Sequence, residues 1–306
     1  MILVALAADA LFGDPDGLWC RVPHPVVLMG RLVAVLDHKL NSGTGRKLKG
    51  ALAILLVAAV LAGLGVAIHD ALAQIEGGWL IEGLLASTLV AQKSLLQHVR
   101  AVTVPLSAGD LNAARTALGK IVGRDTAVLD EAGIARAAIE SLAESTADGI
   151  VAPVFWGVLL GLPGLLIYKA VNTADSMIGH KDARYIDFGW AAARLDDLLN
   201  LVPARLTALL IALAAGNDRA RSLHVAWRDG DKHASPNAGY PEAAMAGALG
   251  LRLGGPRHYE GEAHDTPWLG DGERVATAAD LRRAEVIFVR ACVFHGLIIA
   301  GLWAWL

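Results

Sequence analysis

The densest concentration of chemically capable side chains lies in residues 168–206, YKAVNTADSMIGHKDARYIDFGWAAARLDDLLNLVPARL. Asn172 and Asp175 are three apart, so a helix puts both on one face, with Lys169 and Ser176 beside them. Arg194, Asp196, Asp197 and Asn200 then cluster just before an apolar run. Paired carboxylates hold a hard cation through oxygen ligands, and neighbouring Lys or Arg neutralise phosphate charge, so this composition suits a Mg²⁺–polyphosphate site. Any one of these acids, taken alone, is explained equally well as a solvated helix face or an i,i+3 or i,i+4 ion pair; the density of the whole group is what favours chemistry.

Three further groups stand out. Gly123-Arg124-Asp125-Thr126 is followed by Glu140, Ser141, Glu144 and Asp148, whose carboxylates are spaced i, i+4, i+8 along one helical stripe. Like charges at that spacing destabilise a helix by a few tenths of a kcal/mol per pair, a repulsion that a metal, a cationic partner or plain exposure to water offsets. Gly123 to Asp125 reads either as a helix C-cap followed by an Asp N-cap or as backbone N–H groups and Arg124 offered to a phosphate. Pro23-His24-Pro25, with Gly30-Arg31, fixes the backbone around His24 and rules out a helix through it; a lone His is usually structural. Residues 232–239, KHASPNAG, carry Ser235 and Asn237 in a turn-rich loop that precedes Glu242 on an Ala/Gly-rich helix. There is no GxxxxGK[ST] loop, no GxGxxG after a strand, no HExxH and no GxSxG elbow, so any use of ATP falls outside the P-loop architecture.

The elements that must position these groups are apolar. Of the 306 residues 55% are hydrophobic and only 19% charged, against roughly 25% in ordinary soluble domains, and the mean hydropathy is +0.47. Residues 50–68 and 149–168 are uncharged runs of nineteen and twenty residues, just long enough to cross a hydrocarbon core of roughly 30 Å. Further apolar elements cover residues 1–12, 79–92, 198–215 and 291–306, and three polar stretches, about 100–148, 169–197 and 217–283, separate them. The polar stretches read mostly as helix and strand-like alternation is scarce, which predicts an all-α, multi-pass integral membrane protein forming one domain over residues 1–306. With a net charge of −3 nothing suggests nucleic acid or a polybasic lipid anchor as partner. Cys20 and Cys292 form no CxxC and fit a reducing compartment. The N-terminus has no basic region and only eight apolar residues before Asp9, so it is expected to be retained rather than cleaved as a signal.

Charge also predicts topology. Lys39, Arg46, Lys47 and Lys49 precede the first strong span and Asp70 and Glu76 follow it, which places Arg46 inside and Glu76 outside. The next helix is expected to return the chain. Residues 149–168 contain Pro163-Gly164 in mid-run, and residues 198–215 carry Arg205 near their start. Both read as re-entrant or broken helices, tolerated where they line a protein cavity, and that arrangement keeps all three polar stretches cytoplasmic.

In order, these motifs resemble the CobD/CbiB family, the adenosylcobinamide-phosphate synthases of cobalamin biosynthesis. The matching stretches are DALFGDP (9–15), HPVVLMGR (24–31), GRDT (123–126), ESLAESTADGIVAPVFW (140–156), residues 168–206 quoted above, SPNAGYPEAAMAGALGLRLGG (235–255) and the apolar C-terminus. Two departures are Ser145, where the family's pattern more usually has Asn, and His180, where Tyr is common; neither removes a carboxylate or a lysine.

The resemblance implies a bacterial inner-membrane enzyme with its active site on the cytoplasmic side. Its substrates would be adenosylcobyric acid and (R)-1-amino-2-propanol or its O-phosphate, joined as an amide at the f propionate with ATP and Mg²⁺. A carboxylate is a poor electrophile; phosphorylation by ATP gives an acyl phosphate that a free amine attacks. Placed on the matched motifs, Asp175, Asp196 and Asp197, with Asp148, are expected to hold Mg²⁺ and, with Lys169, Lys181 and Arg194, the triphosphate. Asn172 and Asn200 complete that site. Glu140 or Glu144 is expected to take the ammonium proton, and Arg124, Asp125, His24, Arg31, Ser235 and Asn237 to contact the amine's phosphate or the corrin amides. The bilayer is a partner, association with other late cobalamin-pathway membrane enzymes fits the picture, and oligomeric state stays open. Two rivals differ in class: a Mg²⁺-dependent membrane prenyltransferase, suggested by the NxxD spacing at 172–175 and by Asp196-Asp197 but needing more long spans, and a corrinoid-binding transporter, which predicts inverted repeats that the sequence lacks.

Overall fold

The computed structural model describes residues 1–123, 125–259, 262–264 and 266–305. Helices follow in chain order: α1 (Ile2–Phe12), α2 (Asp16–Trp19), α3 (Pro25–Leu40), α4 (Arg46–Ala73), α5 (Gly78–Ser87), α6 (Gln92–Ser107), α7 (Leu111–Leu118), α8 (Glu131–Thr146), a π turn (Ala147–Val151), α9 (Ala152–Ile178), α10 (Trp190–Ala214), α11 (Arg219–Asp229), α12 (Gly239–Leu249) and α13 (Ala278–Trp305). Among the described residues four stretches are long and apolar enough to cross a membrane: Arg46–Ala73, Glu131–Ile178, Trp190–Ala214 and Ala278–Trp305. The all-α multi-pass membrane fold expected from composition is therefore the fold found. Leu52, Leu55, Leu56, Val60 and Leu64 of α4 stand exposed, a contiguous apolar face that suits lipid and not water.

The backbone divides into two compact units, Met1–Lys93 with Asp148–Asn200 and Ser94–Ala147 with Leu201–Leu306. In the first, α4 packs along α9, α3 lies against both, and α1 lies against α5. Val33, Ala53, Ile54, Val171, Ala174, Ile178, Phe188 and Ala192 form its core. Because Val171, Ala174 and Ile178 recur at helical spacing, α9 turns one face inward and leaves Tyr168, Asn172 and Asp175 on another. Asp9 of α1 is buried and its Oδ2 accepts the Gln92 backbone N–H at 2.7 Å, satisfying the start of α6.

The break expected in residues 149–168 is present. Gly161 adopts φ 68°, ψ −158°, a region essentially restricted to glycine. Beyond it the chain folds back: a Cβ on Gly164 would lie 2.4 Å from the Trp156 carbonyl oxygen, whereas residues eight apart on a straight helix are about 12 Å apart. The two halves of α9 thus fold back on each other as a hairpin. The second break, in 198–215, is absent: α10 runs through Pro203 as one helix. Its Arg205 stays on the helix because Nη1 donates to the Leu201 carbonyl and to Asn237 Oδ1, both at 2.9 Å, while the guanidinium stacks on Tyr240.

Residues 79–92 differ from the single returning helix expected. Helix α5 stops at Ser87, where the Ser87 and Thr88 hydroxyls draw off the Leu84 and Leu85 carbonyls. At ten residues, about 15 Å, α5 alone reaches only half a hydrocarbon core.

In the second unit α11 pairs with α12, and α8 packs on α7, α12 and α13 around Leu118, Ile134, Ile139, Leu142, Met245 and Phe288. The polar stretch 217–283 is not purely helical. Leu253–Gly254 pairs antiparallel with Trp268–Leu269, and Arg257–Tyr259 with Glu262–His264. Strands this short carry too few residues to show a period of two, which is why sequence pattern does not reveal them.

Candidate functional site

The first unit gathers the central motif into one network. Tyr168, Asn172 and Asp175 share a face of α9, while Asp196 and Asn200, four apart, share a face of α10. Asn172 Nδ2 donates to Asp196 Oδ1 at 3.3 Å and Asn200 Nδ2 donates to Asp196 Oδ2 at 3.0 Å. The fully buried Tyr168 hydroxyl donates to Asn200 Oδ1 at 3.0 Å and lies 3.3 Å from the Asp148 carbonyl oxygen. Two amides and a phenol therefore fix one carboxylate. Asp148 enters from the π turn, an irregularity common at functional sites.

Lys169, half-buried, lies within electrostatic reach of Asp148, Asp196 and Asp14, and Asp175 within reach of Asp196. Three carboxylates, Asp14, Asp148 and Asp196, thus gather about one ammonium, with Asp175 next to Asp196. Such a balance repels a bare phosphate and suits a phosphate that brings its own cation. Among the described residues no three His, Cys, Asp or Glu side chains converge as a metal group on their own. Mg²⁺, however, needs only one or two carboxylates when waters and phosphate oxygens complete its octahedron, and the residues here fit that requirement.

His24 caps α3, its Nδ1 accepting the Val26 N–H at 3.2 Å, and its Nε2 pairs with Asp14 at 3.3 Å while the ring packs edge-on against Trp19. Its structural role is real, yet Asp14 ties it to Lys169. Arg31 is exposed on α3. Arg194 pairs with Asp197 at 3.0 Å, which makes that pair the surface ion pair that spacing allowed, with exposed Lys181 in electrostatic reach of Asp197. The segment 180–189 is anchored at both ends of the α3–α4 connection: Arg184 reaches Asp37 at 2.7 Å, which raises the guanidinium pKa above its ordinary value, and Arg46 reaches Asp187 at 3.1 Å.

The remaining candidates belong to the second unit. Glu140 is buried and accepts the Gly254 N–H at 2.7 Å, holding the short strand, whereas Glu144 is exposed. Glu140 and Glu144 lie on α8 and Asp148 in the π turn that follows it, where i→i+5 bonding departs from the α-helical repeat that a single stripe assumes. Asp125 accepts the Ala127 N–H at 2.9 Å in a local turn, and the N-cap of α8 is Asp130, not Asp125. Arg124 lies outside the described residues. Ser235 Oγ accepts the N–H groups of Asn237 and Ala238 at 3.2 and 3.3 Å, and buried Asn237 is held by Arg205.

The family model described as CobD/Cbib protein matches residues 2–288. The chain belongs to the CobD/CbiB family. It is 50% identical to "Cobalamin biosynthesis protein CobD" of Rhodobacter capsulatus, over 99% of this chain and 98% of that one. Proteins of the same name from Sinorhizobium sp and Brucella suis are 49% and 46% identical, each over 98% of this chain and covering 97% and 96% of theirs. No solved structure matches the chain.

Set against the CobD/CbiB motifs, the structure adds residues that motif spacing did not single out. Asp14, inside DALFGDP, and Tyr168, at the head of the longest motif, are both part of the network, and their positions within matched stretches were the available signal. A third, Asp229, lies between motifs. It is buried, Arg228 contacts it at 2.6 Å and Lys232 at 2.6 Å, and the Gly270 N–H donates at 2.7 Å. The Arg228 hydrogen bonds outweigh burial and hold its carboxyl well below the usual range. Ser145 is half-buried and His180 is exposed beside Tyr185, ring centroids 6.2 Å apart; neither departure touches the Asp196 network in any contact described.

Proposed function

We propose that this CobD/CbiB protein is an ATP- and Mg²⁺-dependent amide ligase that joins aminopropanol, or its O-phosphate, to the f propionate of adenosylcobyric acid. The observation that carries the reading is the Asp196 carboxylate clamped between Asn172 and Asn200 beside Lys169, within a chain whose relatives bear a cobalamin-biosynthesis name. Asp196 and Asp175 would hold Mg²⁺, with water and phosphate oxygens completing its shell; Asn172 and Asn200 keep Asp196 aimed. When bound, the cation neutralises phosphate charge and orients the nucleotide. Lys169 would face the transferring phosphate, and Arg194 and Lys181, on the exposed rim, would draw in the polyphosphate tail. Of Glu140 and Glu144, the exposed Glu144 and not the enclosed Glu140 would accept the ammonium proton and free the amine.

The ligase reading requires the site to face the cytoplasm of the bacterial inner membrane, where ATP is. Purified protein given cobyric acid, aminopropanol phosphate, ATP and Mg²⁺ should form the amide with loss of water, read by mass spectrometry; substrate binding with no mass change, or transfer of a prenyl group, overturns the assignment. Membrane-impermeant thiol labelling of Ser176→Cys in intact cells should fail until the membrane is opened. Ready labelling from the periplasm would remove the nucleotide from the site and the ligase reading with it.

A further inference from the structure

In the second unit the start of α13, the turn after α10 and the end of α12 enclose an open groove of about 410 Å³. Arg282, Arg283 and Arg290 line it, facing a single acid, Asp218, over a floor that includes Ala248, Val286 and Ile287. Asp218 is already paired with Arg221 at 3.0 Å. Arg283 reaches Asp280 only at 3.4 Å, while Arg274 grips that carboxylate at 2.6 and 2.7 Å. Arg282 donates to the Ser107 hydroxyl, and Arg290 has no hydrogen bond or ion pair among the described residues. The groove therefore carries unneutralised positive charge, with one guanidinium wholly unspent.

Its position says what meets that charge. Helix α13 is one of the membrane-capable helices, and after Arg290 it carries no Asp, Glu, Lys or Arg to its end. Arg283 and Arg290 are seven residues apart, so Arg290 sits about 10 Å further along the axis, toward the hydrocarbon. A guanidinium at that depth is costly without an anion. Val286, Arg290, Val293 and Leu297 recur at i, i+4, i+7 and i+11 and form one stripe, and Val286, Val293 and Leu297 stand 48%, 54% and 63% exposed. The stripe runs straight out of the groove.

We propose that the groove binds an anionic phospholipid, its headgroup phosphate between Arg283 and Arg290 and its acyl chains along Val293 and Leu297. A free polyphosphate satisfies the guanidiniums but leaves the apolar floor and stripe uncovered; a lipid covers both. Basic pockets beside membrane helices recognise anionic headgroups in this way. The site is separate from the residues assigned above to nucleotide, so the inference does not rest on the ligase reading.

The test uses the full chain, delipidated in detergent and re-equilibrated with an equimolar mixture of phosphatidylglycerol and phosphatidylcholine, with bound lipid counted by native mass spectrometry. Phosphatidylglycerol should be retained in preference, and Arg290→Gln should weaken that preference about fivefold; Arg290→Lys should restore most of it. Arg290 holds no other side chain, so its replacement leaves the fold intact, and a circular dichroism melt confirms it. Equal retention of the two lipids, or an unchanged preference in Arg290→Gln, overturns the proposal. Millimolar tripolyphosphate should leave the lipid bound; if it displaces the lipid by occupying the same arginines, the ligand is a free phosphate and the lipid assignment fails.

Discussion

The Tyr168 hydroxyl donates to Asn200 Oδ1 at 3.0 Å, which turns the Asn200 amide so that its Nδ2 faces Asp196 at 3.0 Å. Tyr168 and Asn200 are both almost fully buried, so this chain of bonds cannot be replaced by water. Its effect is to hold one carboxylate in a single orientation. Removing such a support beneath a metal ligand typically lowers activity or metal affinity 10–100-fold. Tyr168→Phe is expected near the low end of that range and Asn200→Leu near the high end, because the latter frees Asp196 as well. The discriminating measurement is the Mg²⁺ titration of amide formation. Both variants should need more Mg²⁺ for half-maximal rate; an unshifted titration would mean that the network serves folding alone.

Lys169 is the ammonium facing three carboxylates, Asp14, Asp148 and Asp196. If it faces the transferring phosphate, Lys169→Gln should cut kcat by about 10²–10³, as loss of one charge-stabilising donor does elsewhere. Lys169→Arg should recover only part, since a planar fork does not reproduce a point charge. Exposed Lys181 is the comparison: Lys181→Gln should raise KM for ATP a few-fold and leave kcat alone. Steady-state kinetics with varied ATP separates the two, and equal effects at both positions would contradict the placement.

Much of this site was legible in the chain before its geometry. Asn172 with Asp175 reads as a helix face because the spacing matches the helical repeat, whereas Asp196 and Asn200 stand out in the sequence only as members of a polar cluster. The break was legible at Pro163-Gly164, although the residue that breaks the helix is Gly161, two positions earlier. What escaped was whatever depends on distant partners. Nothing local to Tyr168 announces that its hydroxyl will meet Asn200, 32 residues on. Helical spacing from Glu140 to Asp148 assumes an α-helix throughout, and the π turn at Ala147–Val151 removes that assumption. The short strands and the Asp229 hub lie in a stretch where glycine, proline and charge say only that the chain turns.

Gly161 offers a test of the hairpin that is independent of catalysis. Its ψ of −158° at φ 68° is a conformation that costs a side-chain-bearing residue about 1–3 kcal/mol. Gly161→Ala is expected to lower the unfolding midpoint in detergent by a few degrees. Gly63, in the middle of α4 with open space around its Cα, is the control: Gly63→Ala meets no atom and improves helix propensity, so it should be neutral or slightly stabilising. If both behave alike, the reversal at Gly161 is not what the residue is there for.

Asp229 makes the stability of the second unit sensitive to acid in a direction that can be worked out. Arg228, Lys232 and the Gly270 N–H all favour the ionised carboxylate, and its folded-state pKa lies below the ordinary value. The folded protein therefore binds this proton less readily than the unfolded chain does. The resulting stabilisation is complete above about pH 4, near the pKa of an unfolded Asp, and is lost as pH falls through the lower folded value. Asp229→Asn should cost roughly 2–3 kcal/mol at pH 7, the usual worth of hydrogen bonds to a charged group plus the donors left short of an acceptor. Unfolding of wild type and variant, followed in detergent from pH 7 to pH 2, should show a constant gap down to about pH 4 and a narrowing one below it. A gap that persists undiminished at pH 2 would show that shape, not charge, is what Asp229 supplies.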